Sequence, residues 1–228
     1  MKTIKGLLIS FIAMVTCHEQ ANAFATYITR QDSALKITNS LPRSCQNPCF
    51  SPNGNYIIYT RFMNGYNIGP AEIVKIRIDG TQEQIIVANS GADNVIVPFG
   101  SWVMNKICFA SDRGGAAEEI WLVNDDGTGL TQLTNHSPVP DLYIEPVFNP
   151  QNTNKIVFEW MNGLDESLPH KIALLELDKG NLVTMLTTAT FDDRLPSWSN
   201  NGTKILWQRI PIGQNQGWQI ITANINVD

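Results

Sequence analysis

The sequence predicts an all-β chain built from four repeats of one four-stranded unit. Isoleucines that begin a β-branched and aromatic strand recur in steps of 50, 49 and 49 residues, at Ile57, Ile107, Ile156 and Ile205. Each unit holds short apolar strands separated by turns that contain Gly or Asn, and no helical period follows the N-terminal segment. This pattern is typical of propeller blades. The predicted fold is a β-propeller of four roughly 49-residue four-stranded blades.

Residues 1–23 are predicted to be a signal peptide. Two lysines precede an apolar stretch at 7–15 that is too short to span a bilayer, and Ala21-Asn22-Ala23 provides a cleavage site. The alternative is a lipoprotein anchored through Cys17, but the residues before it fit that signal poorly. Cleavage after Ala23 is favoured, so the protein is expected to be periplasmic or secreted. No further apolar stretch is long enough for a transmembrane segment.

Residues 24–43 are predicted to be closing strands. The stretch at 26–40 is similar to the third and fourth strands of a unit, whereas the C-terminal unit stops after its third strand. We predict that Ala34–Asn39 supplies the missing fourth strand and closes the ring, which removes two exposed edges. This leaves Thr26–Thr29 without an assigned partner. An open arc and a larger ring completed by a second chain are the alternatives.

The four blades are predicted at 44–90, 91–138, 139–190 and 191–228, so that 24–228 form one propeller domain. Each blade begins near a proline, and these are Pro48, Pro98, Pro146 and Pro196. Dipeptides such as Asp79-Gly80 and Asp126-Gly127 predict tight turns between later strands. A lone four-stranded sheet needs cover on both faces. Aromatic residues near the first strands are therefore predicted to pack between blades: Phe50, Trp102, Phe148 and Trp198.

Three cysteines remain after cleavage. Cys45 and Cys49 can form a disulfide in an oxidising compartment if the chain bends tightly between them, but in extended conformation they lie too far apart. The sequence leaves both possibilities open. Cys108 is predicted to be a small buried apolar residue. No Cys-x-x-Cys pair or Cys/His set is present, so no metal and no cofactor are predicted.

Three segments carry a family resemblance: FSPNGNYIIYTR, ASDRGGAAEEIWLVNDDGTGLTQLTN and PSWSNNGTKILWQR. They resemble the repeat of the TolB-like propeller family, also described as WD40-like or PD40 repeats. The resemblance covers essentially all of 24–228. It implies an exported, non-catalytic scaffold that binds a protein partner in the bacterial envelope. Because repeat-like sequence begins soon after the leader, a stand-alone propeller without the α/β domain of the family's namesake is expected.

Net charge and the absence of catalytic motifs argue against several classes of function. The formal net charge is −5, or −6 after the leader is removed, and no basic cluster indicates nucleic-acid binding. Gly-x-Ser-x-Gly is absent, and the two histidines after the leader, His136 and His170, lie in polar segments that predict solvated side chains. We therefore predict a protein that is not an enzyme. The alternative is a secreted propeller enzyme or carbohydrate-binding protein, similar to a lyase or glycosidase; the oligomeric state stays open.

The candidate binding site is the mouth of the channel. The residues just before the four blade-opening prolines are expected to rim it, and they are mostly acidic. The predicted set is Asp93, Asp141, Glu145, Asp192, Asp193 and Arg194. Such a rim would bind a basic or polar segment of a partner, or a cation. The alternative is that these are ordinary solvated loop charges.

Overall fold

The computed structural model describes residues 26–29, 32–38, 43–91, 95–96, 101–115, 117–135, 141–163, 165 and 167–225. The expected signal peptide, Cys17, Asp93 and His136 lie outside them. The described residues form eighteen strands and a single 3₁₀ turn at Leu177–Lys179. All strand pairs are antiparallel, so the predicted all-β class is confirmed.

The strands group into a hairpin and four blades. The hairpin is β1 (Thr26–Thr29) with β2 (Asp32–Leu35). Blade 1 is β3 (Ser44–Phe50), β4 (Tyr56–Phe62), β5 (Ala71–Arg77) and β6 (Gln84–Val87). Blade 2 is β7 (Val95–Ile96), β8 (Trp102–Val103), β9 (Lys106–Ser111), β10 (Glu119–Asn124) and β11 (Thr131–Gln132). Both β7 and β8 pair with β9, so together they take the place of one first strand.

Blades 3 and 4 differ in strand number. Blade 3 is β12 (Leu142–Asn149), β13 (Asn152–Met161), β14 (Lys171–Glu176) and β15 (Leu182–Met185). Blade 4 is β16 (Phe191–Trp198), β17 (Lys204–Pro211) and β18 (Gln219–Asn224). As the sequence indicated, blade 4 has no fourth strand among its described residues.

Alternating side chains let each blade pack against its neighbours. One cluster joins blades 1 and 2 through Ile58 and Phe109, and the next joins blades 2 and 3 through Cys108 and Phe158. A third joins blades 3 and 4 through Val157 and Trp207, among others. The predicted inter-blade aromatics at the first strands are buried in these clusters in blades 2, 3 and 4: Trp102, Phe148 and Trp198.

Phe50 is the exception, and the prediction that it packs between blades is wrong. Its side chain is 60% exposed. Phe50 is opposite Ile57 on the side of blade 1 that faces away from blade 2. No core cluster of the described residues joins blade 1 to blade 4, so no preceding blade covers Phe50.

The N-terminal strand does not close the ring as predicted. Ala34 in β2 pairs with Tyr27 in β1, and β18 pairs only with β17 in the described part of the chain. A local hairpin closes a far shorter loop than a pairing with β18 would, so it costs less chain entropy. Beyond the hairpin, Ile37 packs against the cluster of Tyr59 and Ile76 on blade 1. This segment therefore covers blade 1 instead of completing blade 4.

The three described cysteines are free thiols. Cys45 and Cys49 both lie in β3, opposite Arg61 and Ile58 of β4. The extended strand holds the two thiols apart, which is the reduced alternative that the sequence left open. Cys108 is fully buried between blades 2 and 3, as predicted.

Gly202, in the turn between β16 and β17, provides a test of inter-blade packing. It has a φ of +68°, and a Cβ atom there would lie 2.3 Å from Oδ1 of Asn149. Asn149 is fully buried, and its Nδ2 donates to the Gly202 carbonyl at 2.9 Å. We expect Gly202→Ala to lower the free energy of unfolding by about 2 to 4 kcal/mol, from backbone strain and the displaced hydrogen bond. Urea denaturation measures this loss.

The matched control is Gly54→Ala in the corresponding turn of blade 1. Gly54 has a φ of +71°, but no atom lies within 4 Å of its added Cβ. Strain alone should cost about 1 to 2 kcal/mol. Equal losses in the two variants would contradict the inter-blade role of Gly202.

Candidate functional site

The first strands of three blades share a bulge within the strand. Strands β3, β12 and β16 each shift register with the second strand beside a proline. The residues before those prolines are Asn47, Glu145 and Leu195, with φ of 52°, 51° and 53°. Proline donates no backbone hydrogen bond, and a bulge redirects the side chains around it. A costly non-glycine conformation that recurs in three blades marks these bulges as part of a candidate site.

Two of these bulges line a cavity of about 290 Å³. Its lining residues are Gln46, Asn47, Phe62, Tyr66, Asn67, Glu118 and Glu145. Blade 1 contributes amide groups and aromatic rings, and blades 2 and 3 contribute one carboxyl group each. None of these lining residues is Lys or Arg. A cavity of this size accepts one long side chain or a small polar ligand.

Exposed apolar side chains lie on the loops that follow the second strands, and one of these loops lines the cavity. Because β12 and β13 are antiparallel, with Leu142 opposite Met161, the loops after the second strands leave from the end where the first strands begin. These loops carry the exposed residues Tyr66, Ile68, Leu168 and Ile212. We call the cavity together with these four side chains the mouth face. Apolar groups around a polar centre are typical of protein-binding surfaces.

A buried pair, Glu159 and His170, lies beside the Leu195 bulge. Oε1 of Glu159 contacts Nδ1 of His170, and Oε2 accepts a hydrogen bond from the Leu195 backbone N–H at 2.9 Å. The backbone N–H of His170 donates to Oδ1 of Asp192 at 3.0 Å. Its carbonyl accepts from the Asp193 N–H at 3.1 Å. This network fixes the Leu195 bulge and ties blade 3 to blade 4.

The prediction of a solvated His170 is wrong. Its side chain is buried, and Nε2 has no hydrogen-bond partner in the described part of the chain. The polar residues around it in sequence suggested a loop exposed to water. Packing of blade 4 against the start of β14 encloses the ring instead, and no local sequence signal reports that contact.

Glu145 is the carboxyl group of the cavity whose ionisation is most altered. Burial, and secondarily the negative charge of Glu159, raise the pKa of Glu145 to about 7. Near neutral pH this group is therefore partly protonated. A cation bound in the cavity would favour its ionised form.

Most of the other predicted rim residues that the structure describes accept hydrogen bonds from groups of the protein itself. Asp141 accepts from Nε1 of Trp160 and from the Gly163 N–H, both at 3.1 Å. Its position at the start of blade 3 was predicted. Its carboxylate accepts these hydrogen bonds within the hairpin of β12 and β13. Asp93 lies outside the described residues.

The acidic pair and arginine of blade 4 are likewise engaged. Asp193 is fully buried and accepts from Nε1 of Trp207 at 2.9 Å and from Arg209 at 2.6 and 2.9 Å. Asp192 forms an ion pair with Arg194 at 2.9 Å. Of the five predicted residues that the structure describes, only Glu145 is among those that line the cavity.

Sequence reasoning missed Glu118, Tyr66 and Asn67 because their loops differ in length and sequence from blade to blade. Glu159 was missed because it occupies a strand position where the other blades have Thr60, Ala110 and Gln208. A charged residue at an otherwise uncharged strand position was the available signal.

Within the described residues, no three His, Cys, Asp or Glu side chains are grouped so as to hold a metal ion. The same residues form no helix with the length and apolarity needed to cross a membrane.

Solved structures with related architecture include TolB as well as enzymes. TolB from Acinetobacter baumannii has a TM-score of 0.59 at 17% identity, covering 88% of this chain and 45% of that chain. An oligogalacturonate lyase solved with manganese has a TM-score of 0.55 at 10% identity, covering 77% and 50%. A puromycin-hydrolyzing peptidase from Mycobacterium tuberculosis has a TM-score of 0.58 at 10% identity, covering 86% and 29%.

These similarities establish a propeller of the kind found in TolB. The chain spans half or less of the length of each of these three proteins. No protein-family model matches the sequence, and no curated protein matches it. Fold similarity at this level is shared by proteins with different activities.

Proposed function

We propose that this protein is an exported, non-catalytic scaffold of the bacterial envelope, and that its mouth face binds a basic segment of a partner protein. The observation that carries the proposal is the cavity, where the Glu145 carboxyl group lies among lining residues that include no Lys or Arg. A Lys or Arg side chain is long and cationic, which matches the volume and the charge.

The residues around the cavity favour a protein as the bound partner. Tyr66 is 75% exposed beside the carboxyl groups, and an aromatic face adds cation–π attraction to a bound ammonium or guanidinium. Ile68, Leu168 and Ile212 provide apolar contact around this charged centre. Interfaces gain most of their affinity from such anchors at a desolvated centre.

Affinity capture from bacterial envelope extracts, followed by mass spectrometry, tests the proposal. Glu145→Gln removes the charge while keeping the shape, so we expect the captured partner to bind about tenfold more weakly or worse. Tyr66→Ala should weaken it similarly. Asp178→Asn, on the exposed 3₁₀ turn after β14, is the control and should leave capture unchanged.

The same experiment has a clear negative outcome. If no protein is retained, while the purified chain binds a glycan array, the partner-protein proposal is wrong. Unchanged affinity in both Glu145→Gln and Tyr66→Ala would also remove the mouth face as the binding site.

One observation favours a second candidate, a lyase or glycosidase. A carboxyl group with a pKa of about 7 beside Glu159 is suited to general acid catalysis. Against a polyuronate substrate stands the composition of the cavity, since none of its lining residues is a Lys or Arg that could pair with an anionic sugar. Release of unsaturated uronides from oligogalacturonate, abolished by Glu145→Gln, would favour the enzyme over the scaffold.

A further inference from the structure

Four asparagines of this chain are followed directly by glycine. They are Asn53, Asn64, Asn162 and Asn201, and all four side chains are exposed. An asparagine in this position can lose its side-chain amide without an enzyme, because glycine has no side chain to shield its backbone nitrogen. Exposure and the following residue are the same at all four positions, so the hydrogen bonds around them decide which one reacts.

The glycine nitrogen is engaged at three of the four positions. At Gly54 and Gly202 the N–H donates to the carbonyl three residues earlier, at 2.9 and 2.8 Å. At Gly163 it donates to Oδ1 of Asp141 at 3.1 Å. A nitrogen held in this way must lose its acceptor before it can attack the preceding side chain, which slows the reaction.

The side-chain carbonyl is also held at two of these positions. Oδ1 of Asn53 and Oδ1 of Asn201 each accept from the hydroxyl group of the serine two residues earlier, at 2.8 and 2.7 Å. Each also accepts from the backbone N–H two residues later, at 3.0 and 3.3 Å. These contacts keep the amide carbon away from the glycine nitrogen.

Asn64 and Gly65 lack both restraints. Within the part of the chain that the structure describes, the Gly65 N–H donates no hydrogen bond and Oδ1 of Asn64 accepts none. The space beside Gly65 is open, because the nearest atom to an added Cβ would be Cδ1 of Ile68 at 4.0 Å. The nitrogen of Gly65 is therefore available to react.

The loop around Asn64 is closed by long hydrogen bonds. The Asn64 N–H donates to the Ile68 carbonyl at 3.4 Å, and the Ile68 N–H donates to the Gly65 carbonyl at 3.3 Å. Bonds of this length are weak, so the loop can adopt the geometry of the reaction. Nδ2 of Asn64 donates to the Gly69 carbonyl at 2.7 Å in an exposed contact, and water can replace that bond.

We propose that Asn64 is a modification site, which loses its side-chain amide spontaneously in the folded protein. The Gly65 nitrogen gives its proton to water or hydroxide and attacks Cγ of Asn64. The bond from Cγ to Nδ2 breaks and ammonia leaves, which produces a five-membered succinimide ring. Water then adds to one ring carbonyl and opens the ring, so that aspartate or isoaspartate replaces the asparagine.

The product adds one negative charge to the loop that carries Tyr66 and Asn67, two of the residues that line the cavity. Isoaspartate also lengthens the main chain of this loop by one carbon atom. The inference is independent of the proposed function, because it follows from the hydrogen bonds of Asn64 and Gly65 whatever the mouth face binds.

Peptide mapping by mass spectrometry tests the site after the folded protein has been kept at mildly alkaline pH for increasing times. We expect Asn64 to deamidate about tenfold faster than the other three asparagines, because each of those must first lose a hydrogen bond. Asn64→Asp supplies the reference peptide for the aspartate product. The matched control is the same chain unfolded in guanidinium chloride, where all four hydrogen-bond arrangements are lost and the four rates should become similar.

Asp141→Ala provides a converse test, because it removes the acceptor of the Gly163 N–H. We expect Asn162 to deamidate about tenfold faster in this variant than in the wild type, while the rates at Asn53 and Asn201 stay unchanged. Circular dichroism verifies that the variant is folded.

Three results would overturn the proposal. The first is a rate at Asn64 in the folded protein that is no higher than at the other three asparagines. The second is an equal advantage of Asn64 in the unfolded chain, since the local sequence would then be the cause. The third is an unchanged rate at Asn162 in folded Asp141→Ala, because the glycine hydrogen bond would then have no protective effect.

Discussion

Replacing Asp193 with alanine should lower the free energy of unfolding by about 3 to 5 kcal/mol. Asp193 is fully buried in β16 and holds the Trp207 indole N–H and two nitrogens of Arg209. Without the carboxylate, the indole N–H loses its acceptor and the guanidinium loses its counter-charge inside the sheet. Arg209 is partly accessible to water, so a value near the lower end is expected. Urea or thermal denaturation measures the loss.

Two companion variants separate the causes. Asp193→Asn keeps an acceptor for Trp207 and removes only the charge, so its loss should be smaller than that of Asp193→Ala. Asp178→Ala, at an exposed position, should change stability by less than about 0.5 kcal/mol. A loss below about 1 kcal/mol for Asp193→Ala would show that water readily replaces the carboxylate.

The stability of the protein should decrease as the pH rises through 7, by an amount that depends on Glu145. Its folded-state pKa is raised from 4.5 to about 7, so the folded protein holds this proton more tightly than the unfolded chain does. The contribution is fully present below pH 4.5 and is lost as the pH rises through about 7. This difference corresponds to on the order of 3 kcal/mol.

The measurement compares wild type with Glu145→Gln, whose amide does not titrate. Other groups titrate equally in both proteins, so their effects cancel in the difference between the two unfolding free energies. That difference should change across pH 5 to 8, with the wild type losing relative stability at the alkaline end. A difference that stays constant with pH would mean that Glu145 keeps an ordinary pKa.

The fold class and the number of blades were predictable because their signals are local. Alternating apolar residues, blade-opening prolines and turn glycines recur at nearly equal spacing, and each reports only on its own strand and turn. The same reasoning correctly placed Trp102, Phe148 and Trp198 between blades. It failed for Phe50, because burial of that ring required a neighbour that only the arrangement of the whole chain could supply.

The residues of the candidate site were predictable only in part. Of the predicted rim residues that the structure describes, Glu145 lines the cavity. Sequence could not separate Glu145 from Asp193, since both are carboxylates at the start of a first strand. Trp207 and Arg209 on the neighbouring strand β17 donate hydrogen bonds to Asp193, and these contacts give its carboxylate a structural role.

By itself, the sequence determined an all-β repeat and the face on which each strand residue lies, because period-two alternation is a property of the local backbone. Tertiary structure alone decided which faces are covered. Ile172 and Ile220 are the same residue at the same position of two blades, yet one is buried and the other exposed. Burial depends on the next sheet in space, and that contact joins residues far apart in the chain.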